Sequence, residues 1–246
     1  MKNICIDAGN TSVKIAFTEK SIIQSIAAFS ALDTDSVIHH IDSLPKANVS
    51  ILSSVGSVDQ AIINAVLQKS EHFMELTADT PVPIRNLYKT PETLGKDRLA
   101  AIVGAYSLFP GKDILVFDAG TALTIDFIDS EGNYHGGNIS PGLNMRFRAL
   151  HDYTKKLSLQ SKSDDYQLLG DCTASAIISG VQFGMVFEMK NYIELFVKKN
   201  PDLVKILTGG DINFFENKFE SYIFAEPNLV FIGLEKIIEF NYKLSS

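Results

Sequence analysis

Cysteine is scarce: only Cys5 and Cys172 occur in 246 residues. Two isolated thiols can supply neither a disulfide framework nor a zinc site, so both are expected to be reduced and to serve in packing. Clustered positive charge is also missing. The formal net charge is −7 with no basic run, which argues against nucleic acid as a partner. A small anionic substrate would then depend on local Arg or Lys against an unfavourable overall field. No apolar run reaches the length of a membrane span; the richest, Leu99 to Phe109, is too short and is interrupted by Gly104 and Ser107. Asp7, Asn10 and Lys14 break the N-terminal stretch, so no secretory signal is expected. His39, His40, His72, His135 and His151 show no metal or triad spacing. These absences lead to the expectation of a cytoplasmic globular protein without a membrane partner. Its 46% hydrophobic content suffices for a substantial core.

What is present is a phrase that occurs twice. Ile4-Cys5-Ile6-Asp7-Ala8-Gly9-Asn10-Thr11-Ser12-Val13-Lys14-Ile15 opens the chain, and Leu115-Val116-Phe117-Asp118-Ala119-Gly120-Thr121-Ala122-Leu123-Thr124-Ile125-Asp126 repeats it half a chain later. Each copy reads as an apolar strand ending in Asp, a Gly turn with small hydroxyl residues, and a second strand. One such segment alone is ordinarily a hairpin turn. Two at half-chain spacing are a statement about architecture. Backbone N–H groups of a glycine turn, with Thr and Asn beside them, suit phosphate oxygens, and the Asp can hold a metal ion or its waters. The repeat therefore predicts two similar lobes gripping opposite ends of a polyphosphate, residues 1–112 and 113–246.

The pattern predicts three strands at the start of each half, followed by alternating helices and strands. In the first half these are strands near 2–6, 13–18, 22–29, 49–53 and 72–76, with helices near 35–42, 58–70 and 97–109. Residues 80–96, rich in Pro and Gly, read as loop. The second half predicts strands at 114–117, 123–128, 134–139 and 204–207. Its helices fall near 143–152, 174–199 (with a break at Gly180 or Gly184), 212–219 and 229–242. The fold class is thus α/β with mixed sheets flanked by helices.

Further motifs have two readings each. Thr208-Gly209-Gly210-Asp211 could simply turn the chain, or let a ligand approach the backbone on the adenosine side. Gly136-Gly137 through Pro141-Gly142 is a connector or a ligand contact. In Gly95-Lys96-Asp97-Arg98, Asp97 could be a helix N-cap or a base placed beside an anion-binding Arg.

Taken together, the two Asp-Ala-Gly-Thr-type turns, Tyr88, Gly95-Lys96-Asp97-Arg98, Gly136-Gly137, Pro141-Gly142-Leu143, Thr173, Thr208-Gly209-Gly210-Asp211 and Leu229-Val230-Phe231-Ile232-Gly233-Leu234 cover almost the whole chain. In this order they resemble the type III pantothenate kinases, members of the acetate and sugar kinase, Hsp70 and actin superfamily. The Gly-x-Asp-Arg segment selects this branch. Lys96, where the family often has a small residue, is a mild departure. The resemblance implies an actin-like ATPase fold with two ribonuclease H-like lobes, and ATP-dependent phosphorylation of pantothenate at its primary hydroxyl. It further implies that Asp7, Ala8, Gly9, Asn10, Thr11, Ser12, Val13 and Lys14 hold ATP, with Thr121, Gly209 and Gly210 contributing from the second half. Asp7 would organise Mg2+ or a similar divalent ion, and Asp118 a monovalent cation, K+ or NH4+. Asp97 would be the general base, and Tyr88, Gly95, Lys96, Asp97, Arg98 and Thr173 the substrate contacts. A homodimer is implied as well. The alternatives are another small-molecule kinase of the superfamily and a non-catalytic nucleotide-binding regulator.

Overall fold

The computed structural model describes residues 1–219 and 223–245. The chain forms two compact units: Met1–Pro110 with Gly132–His135 and Asn228–Ser246 make unit 1, and Gly111–Glu131 with Gly136–Pro227 make unit 2.

Unit 1 opens with three strands, β1 (Lys2–Ala8), β2 (Ser12–Glu19) and β3 (Ile22–Ser30). Residues 3–6 of β1 are buried without alternation, as expected of a strand covered on both faces. α1 (Thr34–Ser43), β4 (Ala47–Ser54), α2 (Gln60–Lys69) and β5 (Ser70–Glu75) follow. Local chemistry starts both helices. The Asp33 carboxylate accepts from the Ser36 N–H at 3.1 Å, and Asp59 from Ala61 at 2.9 Å, satisfying donors that the first turn leaves open. The sheet order is β3-β2-β1-β4-β5. β1 runs antiparallel to β2 and parallel to β4. β6 (Arg85–Asn86) and α3 (Lys96–Leu108) come next. α3 is buried on nearly every side from Arg98 to Ala105, which explains its continuous rather than striped apolar sequence.

Unit 2 repeats this plan with β7 (Ile114–Ala119), β8 (Ala122–Ile128), β9 (Asn133–Pro141, whose first three residues belong to unit 1), α4 (Leu143–Asp152), α5 (Thr173–Val197), β10 (Val204–Thr208), α6 (Ile212–Phe215) and β11 (Phe224–Ala225). The second sheet has six strands in the order β6-β9-β8-β7-β10-β11, so β9 to β11 repeat the order of the first sheet and β6 is added at the edge, parallel to β9. β7 is antiparallel to β8 and parallel to β10. The repeated phrase is therefore a repeated topology, and the α/β class with two ribonuclease H-like units of mixed sheet and flanking helices is what the chain adopts. The second turn is shorter by one residue, since β7 and β8 are joined by Gly120-Thr121 where β1 and β2 are joined by Gly9-Asn10-Thr11. Along α5, Ile177, Val181, Met185, Met189 and Ile193 recur every four residues and pack on Phe117, Leu123 and Ile125 of the sheet.

The last helix, α7 (Leu229–Ser245), belongs to unit 1, although the sequence expectation gave residues 113–246 to the second lobe. Two contacts hold it there. The buried Glu235 carboxylate accepts from Asn3 Nδ2 at 2.9 Å and from Thr18 Oγ1 at 2.8 Å. Gly233 and Gly104 also meet where α7 crosses α3. A Cβ on Gly233 would stand 1.7 Å from the Ala100 carbonyl oxygen, and one on Gly104 would stand 2.4 Å from that of Leu229. Burial pushes the Cys5 thiol well up, with Glu235 adding to the effect, which suits a reduced packing cysteine.

Several local expectations shift. α5 is unbroken, because Gly180 and Gly184 have open space around them and no neighbour to relieve. The helix expected at 212–219 ends at Phe215, and the short strands β6 and β11 lacked any alternation to betray them. Gly233→Ala is expected to cost at least 1–3 kcal/mol, roughly the penalty for overpacking a close crossing. Gly180→Ala should gain about 0.5–1 kcal/mol from helix propensity alone. Urea unfolding of the two variants reads both signs.

Candidate active site

Asp7 stands at the carboxyl end of β1, where the chain leaves the sheet between an antiparallel and a parallel neighbour. It pairs in register with Lys14 of β2 and with Ser53 of β4. The Ser53 hydroxyl donates to Asp7 Oδ1 at 3.4 Å. The turn is closed by the Gly9 N–H donating to the Ser12 carbonyl at 2.9 Å. Burial pushes the Asp7 carboxyl up to about 6, Asp97 adds to the rise, and Lys14 and Ser53 only partly offset it. Asp97 thus lies within electrostatic reach of Asp7.

Asp97 lies in the first turn of α3, and it is not the N-cap. Gly95 holds that position and supplies no side chain. Asp97 Oδ1 accepts from the Arg98 N–H at 2.8 Å, which fixes the carboxylate. A Cβ on Gly95 would come within 2.6 Å of that oxygen, so the bare glycine leaves room for it. Arg98 is buried, and its guanidinium carbon sits 5.6 Å from the centre of the Tyr88 ring. Tyr88 in turn stacks on the fully buried Tyr134 at 6.3 Å and 9°. Unit 1 therefore brings together the Asp7–Lys14 turn, Asp97, Arg98 and Tyr88, with Gly95 and the half-buried Lys96 beside them.

Unit 2 assembles the second group. Asp118 ends β7 and pairs in register with Thr208 of β10, the position that Ser53 fills opposite Asp7. The turn after Thr208 folds onto Asp118. Gly209 has φ +97°, and a Cβ there would stand 2.4 Å from Asp118 Oδ1 and 2.6 Å from the Ala119 carbonyl oxygen. Only glycine fits both the dihedral and the space. The Asp211 N–H donates to the Ala119 carbonyl at 2.8 Å, tying the two turns together. Thr121 and Gly210 are exposed on these turns, and Thr173 is exposed at the first position of α5. Sequence reasoning singled out Thr208 only as part of its glycine turn and did not name Ser53 or Tyr134 as neighbours of the candidate site. Their signal is register and stacking, which a linear pattern does not carry.

Among the described residues no group of three or more His, Cys, Asp and Glu could hold a metal. A divalent ion held by one or two carboxylates and by phosphate oxygens needs no such cage. The donor chemistry at Asp7 fits one, because an anion pushed up by burial and by Asp97 is one that a cation would relieve.

The type III pantothenate kinase family model matches residues 3–195. The chain belongs to the type III pantothenate kinase family. A Type III pantothenate kinase from Phocaeicola vulgatus is 44% identical over 98% of this chain and 100% of its own. Among solved structures, a conserved Baf family protein from Campylobacter jejuni superposes with a TM-score of 0.66 at 22% identity, over 98% of this chain and 99% of that one. The activator of 2-hydroxyisocaproyl-CoA dehydratase from Clostridium difficile, with bound ADPNP, gives 0.54 at 11% identity over 100% and 97%. These likenesses show the fold, and that fold is the actin-like ATPase fold. As a type III pantothenate kinase, the chain carries the Gly-x-Asp-Arg segment at the start of a buried helix.

A carboxyl raised in the folded state holds its proton better there than in the unfolded chain. Its contribution to stability is full below the unfolded value near 4 and is lost as pH rises through about 6. In the absence of divalent ions, Asp7→Asn should therefore be more stable than wild type at pH 8, by on the order of 1–2 kcal/mol. The gain should vanish near pH 4. Thermal unfolding across that range checks it.

Proposed function

We propose that this protein uses ATP to phosphorylate the primary hydroxyl of pantothenate, giving 4'-phosphopantothenate in the first step of coenzyme A biosynthesis. The observation that carries this reading is the meeting in unit 1 of the Asp7 turn with Asp97, beside Arg98 stacked over Tyr88. A pure nucleotide switch has no use for the second half of that set.

Each residue then has a physical task. Backbone N–H groups and hydroxyls from Ala8 to Val13 cradle phosphate oxygens, and Lys14 adds positive charge. Asp7 holds Mg2+ or a similar divalent ion, which when bound offsets charge on the phosphoryl oxygens. Asp97 accepts the hydroxyl proton of pantothenate. An Asp is a weak base at neutral pH, but a loose transition state asks it to take the proton only late. Arg98 supplies charge for the substrate carboxylate, Tyr88 and Thr173 hydrogen-bond its polar groups, and Gly95 and Lys96 shape the loop around it. In unit 2, Thr121 donates to phosphate oxygens, while Gly209 and Gly210 present bare backbone to the adenosine. Asp118, a carboxylate beside the backbone oxygens of its own turn, has the donor chemistry for K+ or NH4+. Replacing K+ by Na+ should then lower turnover.

The protein acts in the cytoplasm as a homodimer. Phe187 and Leu195 of α5 and Met145 of α4 are exposed apolar candidates for the interface. Light scattering that returned a monomer would remove that part of the reading. Among the described residues no helix is long and apolar enough to cross a membrane.

The activity is tested by ADP formation from Mg-ATP in K+, with and without pantothenate. Pantothenate-dependent ADP and a phosphopantothenate product are expected; ADP release with a sugar or another acceptor instead would favour a different small-molecule kinase. Asp97→Asn should lose most turnover, roughly 100-fold or more, the scale of a missing general base, while ATP binding persists. Near-normal turnover would reduce Asp97 to a helix-start residue.

A further inference from the structure

We propose that Lys162 and Asp211 form an electrostatic latch that positions the Gly209-Gly210 turn for the nucleotide. The proposal rests on the adenosine-side reading of that turn. Asp211 begins the four-residue helix α6, where an Asp would ordinarily accept from the helix's own first N–H groups. It makes no such bond. Its buried carboxylate is instead turned to Lys162, with Nζ to Oδ1 at 2.7 Å and the Asp side chain only 10% exposed.

Lys162 is delivered by a long segment, residues 153–172, that joins α4 to α5 without regular structure. That segment is fastened at several points. The buried Gln182 side chain of α5 makes a two-way bond to the next residue: its Oε1 accepts from the Ser163 N–H at 2.8 Å, and its Nε2 donates to the Ser163 carbonyl at 3.0 Å. The buried Ser179 hydroxyl donates to the Gln167 carbonyl at 2.6 Å. Tyr166 packs against Phe183 at 4.9 Å and Phe214 at 6.2 Å, and Lys218 Nζ lies 5.1 Å from both the Tyr166 and Phe214 ring centres. Because Ser163 is fixed, Lys162 gives up little backbone freedom in reaching Asp211.

The latch acts on the turn through the backbone. The Asp211 N–H is bonded to Ala119, and Gly209 rests on Asp118, so a shift of Asp211 moves the turn against the phosphate-type loop of β7. Removing the Lys162 charge leaves a buried carboxylate without its cation, and the turn has to move to hydrate it. Lys162 and Asp211 are positioning residues for nucleotide binding.

The test measures binding of a fluorescent ATP analogue without pantothenate, together with steady-state KM values for both substrates. The Lys162 side chain is 47% exposed, so water screens the pair, and Lys162→Met should weaken nucleotide binding and raise KM for ATP about threefold to fivefold, while KM for pantothenate stays within about twofold. Lys162→Arg should restore binding. The double variant Lys162→Met/Asp211→Asn should bind no more weakly than the worse single variant, since a latch can be lost only once. Nucleotide binding by Lys162→Met equal to wild type would overturn the proposal. A parallel rise of both KM values that Lys162→Arg does not rescue would also overturn it, as general loosening of the unit. Failure of the wild-type protein itself to bind ATP would sink the kinase reading and the latch with it, a result separate from either of those.

Discussion

A carboxylate at the end of a central strand, placed where the next strand returns on one side and a parallel strand ends on the other, governs both halves of this molecule. Asp7 opposite Ser53 and Asp118 opposite Thr208 are the two instances, each on an interior strand with an antiparallel neighbour on one side and a parallel one on the other. The buried strands behind them are ordinary apolar β sequence. The polar chemistry is concentrated in the few residues after the last pleat, where the sheet no longer covers them.

The arrangement is held at an electrostatic disadvantage. Asp7 is raised by its burial and by Asp97, and one lysine and one hydroxyl do not cancel this. A protein selected for stability alone would not keep two acids in mutual reach; a protein that binds a cation and phosphates gains from keeping them there. The cost is met elsewhere in unit 1. α3 is buried nearly all round, and α7 is locked to it by the glycine crossing and to the sheet by Glu235. The start of α3, and with it Asp97 and Arg98, therefore rests on a rigid base.

Most of the strands and helices were legible because their periods are strong: the doubled Asp-Ala-Gly phrase, the unbroken apolar run of α3, and the four-residue spacing of α5. The misreadings have physical reasons. A two-residue strand such as β6 has no alternation to detect. Gly180 and Gly184 looked like breaks, yet a helical glycine with open space around it bends nothing. Asp97 beside an apolar run reads from its spacing first as a cap and only second as a base. The N-cap position at Gly95 removes the cap reading, and it depends on where the preceding loop places the chain.

By itself the sequence determined the two Asp-Ala-Gly turns, the α/β class and the residues of the Gly-x-Asp-Arg segment, because these depend on local backbone preference and on patterns within a single element. Tertiary structure alone decided which hydroxyl faces each Asp, that Tyr134 supports Tyr88, that the terminal helix returns to the first unit, and that Asp211 turns away from its own helix toward Lys162. Those are contacts between residues far apart in the chain, set by strand register and close packing, and no short window of sequence contains both partners.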